Sequence, residues 1–450
     1  MEILIIAVFF IGYFFITIEH SVRIDKTISA LGMASVCWAL LKLFNLTVYE
    51  ISDGLHPLYI EISEKFGLPI SEAKAQAIDE LLLHHLGKIA EILFFLIGAM
   101  TIVEIVDMHR GFEILKKLIK TRKKKKLLWI FGIVAFFLSA VIDNLTATIV
   151  LISILRKLVP FQKERMWYAS LIVIAANAGG AWSPVGDVTT TMLWMANKVT
   201  AFKLTEYVFI PSVICFLVPF FIASFLPVFQ GRLDIPASDK TSAFKYSTTV
   251  LILGFLAIVF VPVFKSITHL PPYIGMLFAL ASMWFFSELL KPIKELEEDK
   301  LHTFSPHRAL SKIEMSSILF FLGILLGVAA LESIGVLFNF AGWLNEAIPN
   351  QNIVVILLGI GSSVIDNVPL VAASIGMFQN PLDDAMWHFI AYTAGTGGSL
   401  LIIGSAAGVA AMGMEKINFF WYAKNILWLA FAGFILGALT LMAMEYLHLF

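Results

Sequence analysis

The feature that most constrains this fold is a series of apolar runs, each about as long as a membrane is thick. A helix needs about 20 apolar residues to cross the hydrocarbon core. Ten runs meet this requirement, and they lie near residues 3–19, 27–45, 86–106, 168–197, 205–229, 247–266, 271–290, 314–336, 386–411 and 421–445. Only 14% of the 450 residues are charged, against about 25% in a soluble protein. The sequence therefore predicts an all-α polytopic membrane protein.

Two further runs, 128–158 and 351–377, carry the same polar motif, Ser-(Ala/Ser)-Val-Ile-Asp-Asn. Its carboxylates, Asp143 and Asp366, are 223 positions apart (366 − 143). Each run is too long for one helix and is polar in its middle. A charged residue at the centre of a membrane helix costs about 2.5–3.5 kcal/mol even on the most lenient scale. We therefore expect both carboxylates to have a function.

Loop charges predict that these two runs are re-entrant hairpins. Short cytoplasmic loops are enriched in Lys and Arg, and basic segments at 116–126 and 156–165 flank the first run on both sides. The first run then enters and leaves from the cytoplasm. The loops at 340–350 and 378–385 contain no Lys or Arg, so the second hairpin enters from outside. The result is ten spans with both termini outside. A twelve-span alternative would place the 156–165 loop outside, against the charge rule.

The repeat extends beyond the hairpins, because Gly179-Gly180 recurs as Gly397-Gly398 at an offset of 218 (397 − 179). Two copies whose hairpins enter from opposite faces are inverted repeats, an architecture common in secondary transporters. The predicted organisation is N-terminal spans and an external segment (1–85), a first repeat (86–229), central spans (230–313) and a second repeat (314–450).

Two predicted spans, 168–197 and 386–411, are interrupted by Gly-Gly and other helix-weakening residues, including Ser-Pro in the first. Unwound backbone is tolerated in a bilayer only where it is buried in protein or lines a water-filled cavity. Freed carbonyls, together with Asn, Thr and carboxylate oxygens, suit a hard cation. The alternative is that such Gly- and Ser-rich stretches are only close-packed helix interfaces.

No Lys or Arg lies at comparable depth within the hairpins and interrupted spans, so the carboxylates must be protonated or hold an external ion. Competition between these two states is antiport chemistry. The candidate site residues are Asp143, Asn144, Thr146, Asn177, Ser183, Asp187, Thr189, Asp366, Asn367, Thr396, Ser399 and Ser405. The expected Na⁺ ligands among them are Asp143, Asn144, Asn177, Asp187, Asp366 and Asn367. Glu104 and Glu332 are candidates for a proton path or, alternatively, solvated residues at span ends.

Other classes fit the sequence less well. An anion or oxyanion carrier is the nearest alternative, but the acidic residues Asp143 and Asp366 would disfavour an anionic substrate. A membrane-embedded enzyme with two catalytic Asp residues would not require repeats that extend over whole spans. A primary pump would need a nucleotide-binding Gly-rich loop with its Lys, which the sequence lacks. We expect no cofactor, no catalytic residues and, at a net charge of −1, no nucleic-acid partner.

Four segments resemble the NhaD-type sodium/proton antiporters of the ion transporter superfamily, whose other members include arsenite permeases and INDY-type dicarboxylate carriers. The segments are 98–106, 139–146, 177–187 and 330–333. The resemblance implies export of Na⁺ and Li⁺ in exchange for H⁺, a role in pH homeostasis, and elevator-type movement of a transport domain. It also implies a homodimer in a bacterial-type inner membrane. The dicarboxylate carriers have Ser-Asn-Thr at the hairpin tips, whereas this chain has Asp143 and Asp366, which favours a cation.

Overall fold

The computed structural model describes residues 1–17, 25–51, 55–112, 121–233, 245–290, 306–313, 315–348, 350–364 and 367–447. The helices of the N-terminal half are α1 (Glu2–Thr17), α2 (Lys26–Leu43), α3 (Leu58–Phe66), α4 (Ile70–Met108), α5 (Lys124–Ile142), α6 (Asn144–Leu158), α7 (Gln162–Ala181), α8 (Val188–Met195) and α9 (Ala201–Ala223). The remaining helices are α10 (Ser247–Thr268), α11 (Pro272–Leu289), α12 (Pro306–Lys312), α13 (Met315–Ser333), α14 (Val336–Ala347), α15 (Gln351–Gly361), α16 (Asn367–Met377), α17 (Ala385–Gly397), α18 (Ala406–Glu415), α19 (Phe419–Asn425) and α20 (Leu427–Tyr446).

Within the described residues, eight helices are long and apolar enough to cross a membrane: α2, α4, α5, α9, α10, α11, α13 and α20. Four shorter helices, α1, α6, α15 and α16, are also apolar. The predicted helical membrane class is therefore confirmed. A two-stranded antiparallel sheet, β1 (Tyr49–Ile51) with β2 (Leu55–Pro57), adds a small element that the sequence did not predict.

The helix α4 is longer than the apolar run that predicted it. It spans 39 residues and begins at Ile70, whereas the run begins near residue 86. The additional turns contain Glu, Ala, Lys, Gln and Leu, which have high helix propensity. Polar and charged residues interrupt the apolar ones here, so the extension is helical without forming an apolar run.

Each of the four polar-interrupted segments is a pair of helices and not one continuous helix. Only Asp143 separates α5 from α6, and its backbone has φ +73° and ψ 155°. This conformation is essentially restricted to glycine and costs about 1–3 kcal/mol for another residue. Residues 182–187 separate α7 from α8, and residues 398–405 separate α17 from α18. These last two stretches are called the first and second unwound segments.

The described residues pack into two compact units. The first unit comprises residues 1–93, 314–354 and 368–381. Its central contact is between α2 and α13, where Trp38 Nε1 donates to the carbonyl of Leu326 at 2.9 Å. An apolar helix pair is held together here by an indole N–H that would otherwise lack a partner in an apolar environment.

The second unit comprises residues 94–313, 355–367 and 382–450, and the interrupted helices pack at its centre. Ser139 Oγ donates to the Ala176 carbonyl at 2.6 Å. Ser362 Oγ donates to the Ala394 carbonyl at 3.2 Å. The two serines are equivalent by the 223-residue offset, and the two carbonyls by the 218-residue offset. Both copies therefore pack their hairpin against their interrupted helix through the same contact.

The glycines of the repeated Gly-Gly pair allow this close packing. A Cβ at Gly397 would overlap the Gly359 carbonyl oxygen, and one at Gly179 would overlap the Phe136 carbonyl oxygen. Because the obstacle in each case is backbone, a rotamer change cannot relieve the overlap. The backbones of the hairpin and the interrupted helix can approach this closely only where a side chain is absent.

Replacing Gly397 with Ala should therefore destabilise the second unit by about 1–3 kcal/mol, the usual cost of overpacking. Gly413→Ala in α18 is a matched control, because no atom lies within 4 Å of its added Cβ. The comparison is made by thermal unfolding of the two purified variants in detergent. Equal unfolding temperatures for both would show that the close packing at Gly397 is not required.

Candidate functional site

The carboxylate of Asp187 lies at the centre of a buried group of polar side chains in the second unit. Asp187 caps the N-terminus of α8, where its Oδ1 accepts hydrogen bonds from the backbone N–H and the hydroxyl of Thr189, both at 2.9 Å. Asp is among the preferred residues at this position because it satisfies N–H groups of the first helical turn. Asp187 is only 2% exposed. The cap therefore fixes a carboxylate in the interior.

Two asparagines from the two hairpins converge on this carboxylate. Asn144 Nδ2 donates to Asp187 Oδ2 at 2.6 Å. Asn367 Nδ2 lies 3.4 Å from Oδ2 and 3.5 Å from Oδ1. Asn144 and Asn367 are the first residues of α6 and α16, and they are equivalent in the repeat. Both copies of the motif thus contribute the same residue to one carboxylate.

Asn177 joins this carboxylate group to the second unwound segment. Its Oδ1 accepts from Asn144 Nδ2 at 3.1 Å. Its Nδ2 donates to Ser399 Oγ and to Ser405 Oγ, both at 2.9 Å. All of these side chains are buried. We refer to Asn144, Asn177, Asp187, Asn367, Ser399 and Ser405 together as the polar cluster.

The two copies contribute differently to the cluster. Asp187 and Ser405 are equivalent at the 218-residue offset, and both cap the helix that follows an unwound segment. Their backbones are nearly identical, with φ −145° in both and ψ 147° and 152° respectively. Ser405 Oγ accepts from the Gly408 N–H at 3.2 Å. The same backbone thus carries a carboxylate in the first copy and a hydroxyl in the second.

Asp143 lies beside the cluster and is half-buried. Its Oδ1 accepts from the Thr146 N–H and its Oδ2 from the Thr146 hydroxyl, both at 2.8 Å. The carboxylate therefore caps α6 while remaining close enough to Asp187 for electrostatic interaction. Two carboxylates near each other repel when both are charged. The site thus favours the binding of a positive charge.

The other predicted site residues have separate positions. Ser183 Oγ donates to the Ala140 carbonyl at 2.6 Å, which ties the first unwound segment to α5. Thr396 Oγ1 donates to the Tyr392 carbonyl, one turn earlier in the same helix. This hydrogen bond is not part of the cluster. Asp366 lies outside the described residues.

The two glutamates predicted for a proton path have described contacts of their own. Glu104 Oε2 is 3.7 Å from Lys312 Nζ, and its side chain is 30% exposed. Glu332 belongs to the first unit, where its carboxyl group lies beside Gly376. A role of either residue in a proton path stays a prediction.

Two residues that the sequence analysis did not include support the first unwound segment. Thr190 Oγ1 donates to the Ser183 carbonyl at 2.7 Å, and Thr191 Oγ1 donates to the Pro184 carbonyl at 2.9 Å. The run of three threonines after Asp187 was the signal for this role. Because these freed carbonyls are hydrogen-bonded, the side-chain oxygens of the cluster are the better candidates for ion ligands.

The fold and the cluster together define the class of secondary membrane transporters with interrupted helices. The sequence profile of the citrate transporter family matches residues 13–397. A solved structure, the YdaH transporter of Alcanivorax borkumensis, has the same fold with a TM-score of 0.57. It is 11% identical over 94% of this chain and 99% of its own.

Curated relatives define the family more closely. Sodium/proton antiporter 1 of Arabidopsis thaliana is 42% identical over 98% of this chain and 72% of its own length. Sodium/proton antiporter 2 of the same plant is 41% identical over 97% and 98%. The Na⁺/H⁺ antiporter NhaD of Alkalimonas amylolytica is 30% identical over 96% and 88%. The chain belongs to the citrate transporter family, is similar to these sodium/proton antiporters over most of its length, and is a transporter rather than an enzyme. The resemblance stated from its sequence is confirmed.

Proposed function

We propose that this chain is a Na⁺/H⁺ antiporter whose exchange site is the polar cluster. The observation that supports this most directly is the Asp187 carboxylate, buried between Asn144 and Asn367 from the two hairpins. The sodium/proton antiporters among its relatives support the same assignment.

If a proton and Na⁺ cannot occupy the carboxylates at the same time, the transport of one ion is coupled to the transport of the other. Burial disfavours a charged carboxylate, and either a proton or a cation relieves that charge. Carboxylate, amide and hydroxyl oxygens are hard donors and suit a small hard cation. The side-chain amides of Asn144 and Asn367 lie beside Asp187, while Asp143 supplies a second negative charge nearby. A Na⁺ ion would displace the proton from this group, and a proton would displace Na⁺.

The finer parts of the proposal rest on the resemblance and on loop charges. We include Li⁺ as a second cargo, a homodimer, and elevator-type alternating access in which the helices around the cluster move as one body. Loop charges support ten spans, hairpins that enter from opposite faces, and termini outside the membrane. Asp366, the second copy's equivalent of Asp143, is proposed as an additional ion ligand.

A citrate or other anion carrier is the competing function, since the matching profile is named for citrate transporters. The cluster disfavours it. An anionic substrate would bind close to the Asp187 carboxylate and within range of Asp143, and like charges at such distances repel strongly in a low-dielectric interior.

Everted membrane vesicles that contain the protein provide the test. After a respiratory substrate acidifies their interior, addition of NaCl or LiCl should release protons, whereas KCl and potassium citrate should not. Vesicles without the protein give the background. If Na⁺ and Li⁺ produce no response at any pH while the protein is inserted, the proposal is wrong. A response to citrate alone would establish the anion carrier instead.

A further inference from the structure

A tyrosine outside the polar cluster donates a hydrogen bond to the backbone of the second unwound segment. Tyr422, in the short helix α19, is fully buried. Its hydroxyl donates to the Ser399 carbonyl at 2.7 Å. A buried phenol hydroxyl is normally paired, and an unwound backbone has carbonyls that need donors. This bond satisfies both requirements at the residue where α17 has just ended.

Ser399 is held on two sides by different groups. Its carbonyl accepts from Tyr422, while its hydroxyl accepts from Asn177 Nδ2 at 2.9 Å. Asn177 Oδ1 in turn accepts from Asn144 Nδ2, which also donates to Asp187. A continuous chain of hydrogen bonds therefore leads from Tyr422 to the carboxylate. A shift of Ser399 would therefore change the position of the Asn177 side chain, and through it that of Asn144.

The first copy supports its unwound segment in another way. There, Thr190 and Thr191 supply hydroxyls to the carbonyls of the segment. The equivalent positions of the second copy, at the 218-residue offset, are Gly408 and Val409, which have no hydroxyl. In the second copy the hydroxyl of Tyr422 bonds instead to a different carbonyl, that of Ser399, which corresponds to Ala181 at the same offset (399 − 218).

From the hydrogen bonds that join Tyr422 to Ser399 and Ser399 to Asn177, we infer that Tyr422 is a positioning residue of the exchange site. It fixes Ser399 and, through Asn177, orients the amide groups beside Asp187. Its described hydrogen bond goes to the Ser399 carbonyl and not to a carboxylate. This inference rests on the proposed function, because the property that Tyr422 sets is the affinity of the cluster for Na⁺.

Tyr422→Phe tests the inference, since it removes one hydroxyl and preserves the packing of the ring. Loss of a hydrogen bond to a buried acceptor should raise the Na⁺ concentration for half-maximal exchange about tenfold. The maximal rate should change little. Tyr392→Phe is the matched control: Tyr392 is also fully buried and donates to a carbonyl, that of Phe434 at 2.8 Å, away from the unwound segment. It should leave half-saturation unchanged.

A double-mutant cycle separates positioning from a general loss of structure. Ser399→Ala removes the hydroxyl that accepts from Asn177, which is the next hydrogen bond in the same chain. Adding Tyr422→Phe to this variant should therefore raise the Na⁺ concentration for half-maximal exchange by much less than tenfold. Where a variant accumulates poorly, the Na⁺-dependent shift of its unfolding temperature in detergent replaces the vesicle assay.

The outcomes distinguish the two proposals. Normal Na⁺ half-saturation in Tyr422→Phe, with active wild type, overturns the inference alone, as does a fully additive double mutant. A wild type without any Na⁺ response overturns the proposed function and this inference together.

Discussion

Replacing Asp187 with Asn should abolish Na⁺/H⁺ exchange while leaving a folded, membrane-inserted protein. Asn is also a good N-cap, so α8 keeps its start and the side chain keeps its shape. In the proposed mechanism, the variant lacks the charge for which proton and cation compete. Exchange in everted vesicles should fall to the level of vesicles without the protein at every Na⁺ concentration and pH.

Asp79→Asn is a suitable control for this variant. Asp79 is 65% exposed and pairs with Lys42, 2.6 Å away, so its loss removes a carboxylate far from any buried site. Exchange should remain at the wild-type level. Wild-type exchange in Asp187→Asn would show that the central carboxylate of the cluster is structural.

The second large effect is expected at Glu415, the last residue of α18. Its side chain is 1% exposed and lies 2.8 Å from Arg156 Nε and 2.8 Å from Arg165 Nε. The contact joins the end of α6 and the start of α7, in the first copy, to α18 in the second. Glu415→Gln should destabilise the protein by about 3 kcal/mol, because breaking a buried ion pair leaves uncompensated charge. Arg156 is 44% exposed, which places the estimate at the lower end of the usual range.

Glu206→Gln provides the comparison for Glu415→Gln. Glu206 pairs with Lys203 at the same distance of 2.8 Å, but the two side chains are 33% and 40% exposed. Exposed pairs contribute about 0–1 kcal/mol. Thermal unfolding in detergent should therefore separate the two variants by several degrees. If Glu415→Gln unfolds at the wild-type temperature, the contact does not stabilise the two copies against each other.

The breaks in the helices could be predicted because their causes are local. Glycine, proline and a mid-run carboxylate weaken a helix wherever it lies, and the structure has breaks at Asp143 and after Ala181. The main members of the polar cluster could also be named in advance. A repeat that pairs Asn144 with Asn367 brings equivalent positions to equivalent places, as hydrogen bonding to Asp187 shows.

Side-chain direction and distant partners could not be predicted. Thr396 and Ser399 are three residues apart, yet Thr396 bonds to its own helix and Ser399 to Asn177. The difference depends on where α17 ends, and a sequence pattern locates that end only approximately. Glu415 and Arg165 are 250 residues apart. No local signal links them, since their meeting depends on how whole helices pack.

At Asp187 and Ser405 the same backbone conformation carries two different side chains, so the backbone does not determine the charge at this position. The two residues have the same dihedral angles and the same capping role, so the chain path is independent of which side chain is present. Exchanging a hydroxyl for a carboxylate at such a cap changes the electrostatic potential of the site without rebuilding the helices around it. A single substitution at such a cap residue would therefore change the charge of the site while the surrounding helices keep their positions.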